Sequence, residues 1–391
     1  MPDESASFWR ADPTQAARTL RGLGIEPVDL AGTDAASAAR VLRDLDIEHI
    51  ITFSDRLLVR TAEISAEAGF AFLSVRTAVA CSDKLAQRRT LAEAGVDSVR
   101  SCALDDMAAL PALAKDVGLP VVVKPRLGAG SVDTVRLDTE AQAEQWSTKQ
   151  AQRIRTVPGA CREFVVEELL VGDSTCAGPE FGDFLSVESV VQSPHISHLC
   201  VTGKFPLVPP FRECGMIVPS TVTDDVEREC RELAEKAIQA LGIHLGVVHT
   251  EMKLTPTGPR VIEVNARVPG YMPELLSRAT GACCDLIATA LRTALGLPVA
   301  EMPTLLDQVT YVYIVQPPQD ATRLVSIAGP HTVTSIPGVR GYEPYVKVGE
   351  AVDWRWGTSQ QVGLLTGEAD DHQAALAGIE AALGALEITY E

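Results

Sequence analysis

The stretch 247–271 constrains this chain more than any other. Val247 to Leu254 and Arg260 to Arg267 are two runs of alternating apolar residues, separated by Thr255-Pro256-Thr257-Gly258-Pro259. Such a pattern reads as a β-hairpin. A three-residue loop, Pro256-Thr257-Gly258, suits the turn, with Pro at its first position and Gly in the left-handed one. That register sets Glu251 opposite Glu263. Side chains alternate along a strand, so Glu263, Asn265 and Arg267 share a face. Like charges facing each other across a hairpin repel, so a cation is expected between the two glutamates. Two carboxylates and an amide oxygen form a hard-oxygen set suited to Mg²⁺. The plainer alternative is a solvated face neutralised by Lys253 and Arg260.

Charge narrows the partners. The formal net charge of the 391 residues is −18, which does not favour a phosphate backbone, so nucleic acid is not an expected partner. Functional cations should therefore be local, opposite a small anion. The nine cysteines form no Cys-x-x-Cys pair and sit in no recognisable nucleophile motif. No apolar run approaches ~18 residues and no leader-like segment opens the chain. A reduced, cytoplasmic protein with mostly buried thiols is expected, with no membrane partner.

Residues 14–80 read as alternating helix and strand, with helices at 14–23, 35–45 and 57–68 and strands at 25–30 and 47–53. That is a small open α/β unit with a parallel sheet. It lacks a Gly-rich dinucleotide fingerprint, and its first strand looks degenerate in residues 1–10. Ser82-Asp83 caps a helix over 84–94, stopped by Gly95. Strands are expected at 119–125, 132–137, 163–170 and 184–192, and helices at 139–152, 224–241 and 272–295. From residue 308 the pattern is β-rich, closing on a helix at 371–383 and a strand at 387–390.

Three short motifs carry chemistry beside the hairpin. Residues 121–135 form a second hairpin with the tip Gly128-Ala129-Gly130-Ser131. It is neither a Walker A loop nor a dinucleotide turn, since no Gly-Lys-Ser/Thr and no helix follow. Its bare N–H groups can cradle phosphate oxygens, and Lys124 could neutralise an inner phosphate. Glu167-Glu168-Leu169-Leu170 is an acidic strand end that could hydrogen-bond a base or ribose, or simply decorate an edge strand. Lys84 opens a helix, where a cation opposes the dipole and gains from an anion; the alternative is a solvated lysine.

In this order the pieces resemble the ATP-grasp superfamily from about residue 45 onward, and most closely its L-amino acid ligases of the bacilysin type. The Gly172–Glu188 segment, Phe211-Arg212-Glu213-Cys214-Gly215-Met216 and His249-Thr250-Glu251-Met252-Lys253-Leu254 carry the closer likeness. The resemblance implies an α/β (α+β) fold. An N-terminal open parallel domain would occupy 1–80 and an ATP-grasp domain 81–300, with a mobile lid at about 118–190 and a C-terminal β-rich part over 301–391. It implies ATP held by Lys84, Lys124, Gly128, Gly130, Ser131, Glu167, Glu168 and Leu170. Glu251, Glu263 and Asn265 would hold Mg²⁺, with Mn²⁺ as an alternative. Glu213 and Arg267 would serve catalysis and substrate, Arg267 on an acyl phosphate, while Tyr271 and Met216 would shape the substrate pocket. Met216 stands where such ligases can carry His. The implied reaction joins a small carboxylate to an amine, with a homodimer admitted. An ATP-grasp enzyme with another acceptor (carboxylase-like or phosphotransferase) and a non-catalytic nucleotide-binding module are the competing classes.

Overall fold

The computed structural model describes residues 13–299 and 308–391; the degenerate strand expected in 1–10 and the boundary at 300 lie outside them. Helices α1 (Pro13–Gly22), α2 (Ala35–Asp44), α3 (Asp55–Ala68), α4 (Val75–Ser82) and α5 (Lys84–Glu93) open the chain. Asp34, Ser74 and Asp83 accept backbone N–H groups at the starts of α2, α4 and α5. Gly69 ends α3 in the left-handed conformation. One expectation needs correction. Residues 25–30 and 47–53 join no strand ladder among the described residues, so the expected parallel sheet is not seen among them. Leu23, Ile25 and Phe53 are exposed.

A small antiparallel sheet follows. Strand β1 (Ser101–Leu104) leads through α6 (Leu110–Val117) to β2 (Val121–Pro125) and β3 (Val135–Leu137); α7 (Glu140–Thr156) leads to β4 (Phe164–Glu168). The order is β1-β4-β2-β3. The sheet has its own core, in which Leu104, Leu110, Val121, Val123, Phe164 and Val166 are buried together. It starts and ends earlier than the lid expected at 118–190, because residues 184–192 belong to another sheet.

That larger sheet uses β5 (Phe184–Gln192), β6 (His195–Lys204), β7 (Gly215–Val218), then, after α8 (Asp224–Leu241), β8 (Leu245–Thr255) and β9 (Gly258–Asn265). Past α9 (Met272–Ala279) and α10 (Leu286–Ala294) it is completed by β10 (Val309–Val315), and, beyond β11 (Leu324–Ala328), by β12 (Val339–Pro344) and β13 (Gly363–Ala369). The chain closes with α11 (His372–Ala385) and β14 (Glu387–Tyr390), which pairs β11. The order β12-β13-β10-β7-β6-β5-β8-β9 shows the C-terminal strands extending the same sheet. On one side Val190, Val247 and Val312 pack on Leu275, Leu276 and Leu286 of α9 and α10. Elsewhere Val248, Val261 and Val264 pack on Ala237, Ile238 and Leu241 of α8. Each fully buried aliphatic side chain contributes about 1.5–3 kcal/mol.

The β8–β9 turn also differs from expectation. Thr255 pairs Gly258, so the loop has two residues rather than three. A bulge between Glu251 and Met252 then restores the expected pairing of Glu251 with Glu263; an extra residue on one strand shifts register by one. Strand β9 lies at the sheet edge, and α5 covers it. Gln87 Nε2 donates to the Val264 carbonyl at 2.9 Å and its Oε1 accepts from Val264 N at 2.8 Å. Arg88 donates to the carbonyls of Val261 and Ile262 at 2.6 and 2.8 Å. Side chains thus satisfy an edge that could otherwise recruit another strand.

Candidate active site

A cleft of about 1010 Å³, open to solvent, lies between the small sheet and the β8–β9 hairpin. Lys84, Lys124, Gly128, Gly130, Ser131, Glu167, Glu168, Leu170, Glu213, Glu251 and Glu263 all line it. The motifs are far apart in sequence, and folding brings them to one wall each.

The hairpin supplies two facing carboxylates. Their charge is balanced, but not by Lys253 and Arg260, which pair with Asp183 and Asp97 instead. Lys84 Nζ lies 2.9 Å from Glu263 Oε1 and donates to the Gly128 carbonyl at 2.7 Å. Helix α5 delivers Lys84 here because its cap, Asp83, also pairs with Arg126 at the end of β2. Glu251 Oε1 meets His249 Nε2 at 3.1 Å. Burial alone would raise the Glu251 carboxyl, but the hydrogen bond and charge of His249, with Lys204 and Arg267, hold it down at about 2. The other oxygen of each glutamate, Oε2, has no hydrogen bond or ion pair among the described residues.

Asn265 lies two residues beyond Glu263 on the same face, opposite His249. It is 6% exposed and its carboxamide has no hydrogen-bond partner among the described residues. It is not part of the cleft wall. No group of three His, Cys, Asp or Glu among the described residues could hold an ion alone. Two carboxylates with spare oxygens and an unpartnered amide do fit Mg²⁺, an ion that takes one or two carboxylates and completes its shell with substrate phosphates and water.

Behind Glu251 lies a network that the sequence did not announce. Glu188 is fully buried opposite His249, 2.8 Å from Nδ1. Burial would lower His249, but the Glu188 charge raises it to about 9. Burial would also lower Lys204, yet Glu213, Glu251 and Glu188 raise it; its Nζ is 3.4 Å from Glu213 Oε2. The available signal was the period-two spacing of His249 and Glu251. Lys204 and Glu188 sit on neighbouring strands, which only the sheet order brings together.

Opposite stands the Gly-rich tip. Gly128 and Gly130 adopt positive φ of 142° and 68°. The N–H groups of residues 128–131 donate to no acceptor among the described residues, whereas the Gly128 and Gly130 carbonyls accept from Lys84 and Thr358. Carbonyls tied back and N–H groups left open make an anion cradle. The tip does not stand free of the rest of the chain. It rests on the 3-10 segment Trp354–Gln360, where Thr358 N donates to the Gly130 carbonyl at 2.8 Å.

The acidic strand end also departs from its expected role. Glu167 is 3.0 Å from Arg88 through both oxygens and 2.9 Å from Lys124. Burial would raise Glu167, but these two cations hold it down at about 2. Burial pulls Lys124 down, offset in part by the charge of Glu167. Glu168 accepts from Arg100 N at 2.9 Å and Nε at 2.8 Å. Both oxygens of each side chain are thus engaged within the protein. The free hydrogen-bonding groups are those of the Leu170 backbone, which make no hydrogen bond among the described residues.

Besides Asn265, three expected site residues lie outside the cleft wall. Met216 is buried with Val218, Met272 and Val312, so it is core rather than cleft wall. Arg267 falls past the end of β9 and pairs through Nε with Asp55 at 2.8 Å, beside a smaller cavity walled by Ile50, Phe72 and Ala290. Tyr271, at φ 63°, bonds Gln361 through its hydroxyl; burial, ahead of its neighbours, raises it to about 12. Five of the nine thiols are buried and none is in a disulfide. Burial pushes Cys81 and Cys230 up to about 12, away from nucleophilic use.

The chain is similar to several known proteins. Residues 117–272 match the family model of the ATP-grasp domain. Alanine–anticapsin ligase of Bacillus subtilis is 27% identical over 254 residues, which are 63% of this chain and 51% of that protein. Human carnosine synthase 1 is 27% identical over 67% of this chain and 32% of its own. The chain spans about half the length of the alanine–anticapsin ligases it matches. The crystal structure of an L-amino acid ligase from Bacillus licheniformis superposes with a TM-score of 0.75, covering 94% of this chain and 87% of that one at 20% identity, a likeness of fold. Among the described residues no helix is long and apolar enough to cross a membrane.

Proposed function

We propose, from the match of residues 117–272 to the ATP-grasp domain model, that this chain is an ATP-dependent carboxylate–amine ligase acting on small amino-acid-like substrates. One observation carries the proposal: Glu251 and Glu263 face each other, each with a spare oxygen, in the same cleft as a tip of four open N–H groups. The relatives named as ligases of amino acids support it.

In this reading the γ-phosphoryl group of ATP moves to a carboxylate oxygen, giving an acyl phosphate and ADP. The amine attacks the acyl carbon, the amide forms and phosphate leaves. No protein nucleophile is required; positioning and charge stabilisation do the work. The tip N–H groups and Lys84 receive phosphate oxygens, Lys124 balances the inner phosphates, and the Leu170 backbone meets the base. Glu251, Glu263 and Asn265 would hold Mg²⁺, with Mn²⁺ as the alternative ion. Bound there, the ion would neutralise charge on the phosphate oxygens. Arg267 would leave Asp55 to meet the acyl phosphate, its fork suited to two-point contact. Glu213 and Tyr271 stand toward the acceptor, and Met216 supports them from the core. Residues 1–80, 81–300 and 301–391 would act as substrate, nucleotide and completing regions, in a monomer or homodimer.

The test is a phosphate-release screen over amino acids, singly and in pairs, with mass spectrometry of products. Release that requires both a carboxylate and an amine, with an amide product, is expected. Release with bicarbonate or without any amine would point to another acceptor class.

A further inference from the structure

The stretch 354–361 touches three parts of the proposed site: the tip, Glu213 and Tyr271. Thr358 N donates to the Gly130 carbonyl at 2.8 Å. Thr358 Oγ1 accepts from Glu213 N at 3.0 Å. Gln316 Nε2 donates to the carbonyls of both Glu213 and Thr358, at 3.0 and 3.2 Å. Gln361, 2% exposed, bonds the Tyr271 hydroxyl at 2.7 Å.

Backbone geometry makes the contact demanding. Gly357 sits at φ 63°, ψ −146°, a region only glycine occupies readily. A Cβ there would meet the Gly130 carbonyl oxygen at 2.0 Å. The approach also sets the tip's chemistry. A trans peptide unit is planar, with its C=O and N–H pointing in opposite directions. Fixing the Gly130 carbonyl on Thr358, which is not in the cleft wall, therefore turns the Ser131 N–H away from Thr358; Ser131 lines the cleft.

We infer that Thr358 is a positioning residue, tying the phosphate-binding tip to Glu213 so that nucleotide and acceptor sides are set together. The inference rests on the ligase reading above. Its two bonds are separable. The backbone N–H serves the tip, whereas the hydroxyl serves Glu213.

The full chain is tested with AMP-PNP binding, turnover on a substrate pair from the screen, thermal unfolding and hydrogen exchange over 126–134. Thr358→Val removes the hydroxyl acceptor alone. It should lower kcat about tenfold, the scale of one buried donor left unpaired, with AMP-PNP affinity near the parent's; Thr358→Ser should restore turnover. Gly357→Ala should instead weaken AMP-PNP binding about tenfold or more and speed exchange at the tip. Normal turnover in Thr358→Val, or equal losses in Thr358→Val and Thr358→Ser, would overturn the inference. So would unchanged binding and exchange in Gly357→Ala. If Gly357→Ala does not fold, the two Thr358 variants decide. A parent that binds no AMP-PNP would instead remove the ligase reading, and the inference with it.

Discussion

Strand β4 and the β8–β9 hairpin each set two acidic residues beside the same cleft, yet only one pair has capacity to spare. On β4, Glu167 gives both oxygens to Arg88 and Lys124, and Glu168 gives both to Arg100. On the hairpin, Glu251 and Glu263 each engage one oxygen, with His249 and Lys84, and keep the other free. A carboxylate with both oxygens engaged by neighbouring cations helps hold the fold together. One held ionised with a free oxygen can take a ligand. Counting uncommitted oxygens, rather than acidic residues, separates the structural pair from the functional one.

The largest effect should come from the hairpin. Glu263→Gln keeps an oxygen that can accept from Lys84, so thermal stability should change little. Turnover should fall about 10²–10³-fold, the scale for losing one charge-stabilising group. Full turnover in this variant would erase the distinction between the two pairs.

Glu167→Gln should act on the fold. It leaves Arg88 and Lys124 buried against a neutral group, at a cost of about 3–5 kcal/mol in urea unfolding. The sign with pH follows from the depressed carboxyl. Its folded value of about 2 lies below the unfolded 4.5. The stabilisation is thus complete above 4.5 and is lost as pH falls toward 2. The variant should lack that part of the acid dependence. A Glu167→Gln protein as stable as the parent but unable to bind nucleotide would move Glu167 into the ligand set.

Smallest is Glu168→Gln. Its partner Arg100 has 61% of its side chain exposed, so solvent screens the pair and the loss should stay below about 1 kcal/mol. A larger loss of AMP-PNP affinity than of stability would return Glu168 to base recognition.

The same contrast explains what the sequence disclosed. The hairpin was legible because alternation and a Pro/Gly turn are local signals, and a bulge happened to restore the pairing that a wrong loop length implied. The cap at Asp83, Lys84 and the glycine tip were legible for the same reason. The partners were not. Arg88 reaches Glu167 across 79 residues, and Glu188 meets His249 across 61. Strands β6 and β7 carry Lys204 and Met216, but His195-Ile196-Ser197-His198 opens the first without an apolar alternation and the second is four residues long. Alternation at 25–30 and 47–53 suggested strands, but among the described residues no strand pairs with them. Contact of the tip with Thr358 joins residues more than two hundred apart, beyond any local pattern.

The central claim is that a carboxylate is activated by phosphoryl transfer in this cleft. Its most direct test supplies the carboxylate partner labelled with oxygen-18 and weighs the phosphate released with an equivalent of amide. An acyl phosphate requires the bridging carboxylate oxygen to leave with phosphate, so one labelled oxygen per phosphate is the predicted result. Unlabelled phosphate released alongside amide would contradict the account.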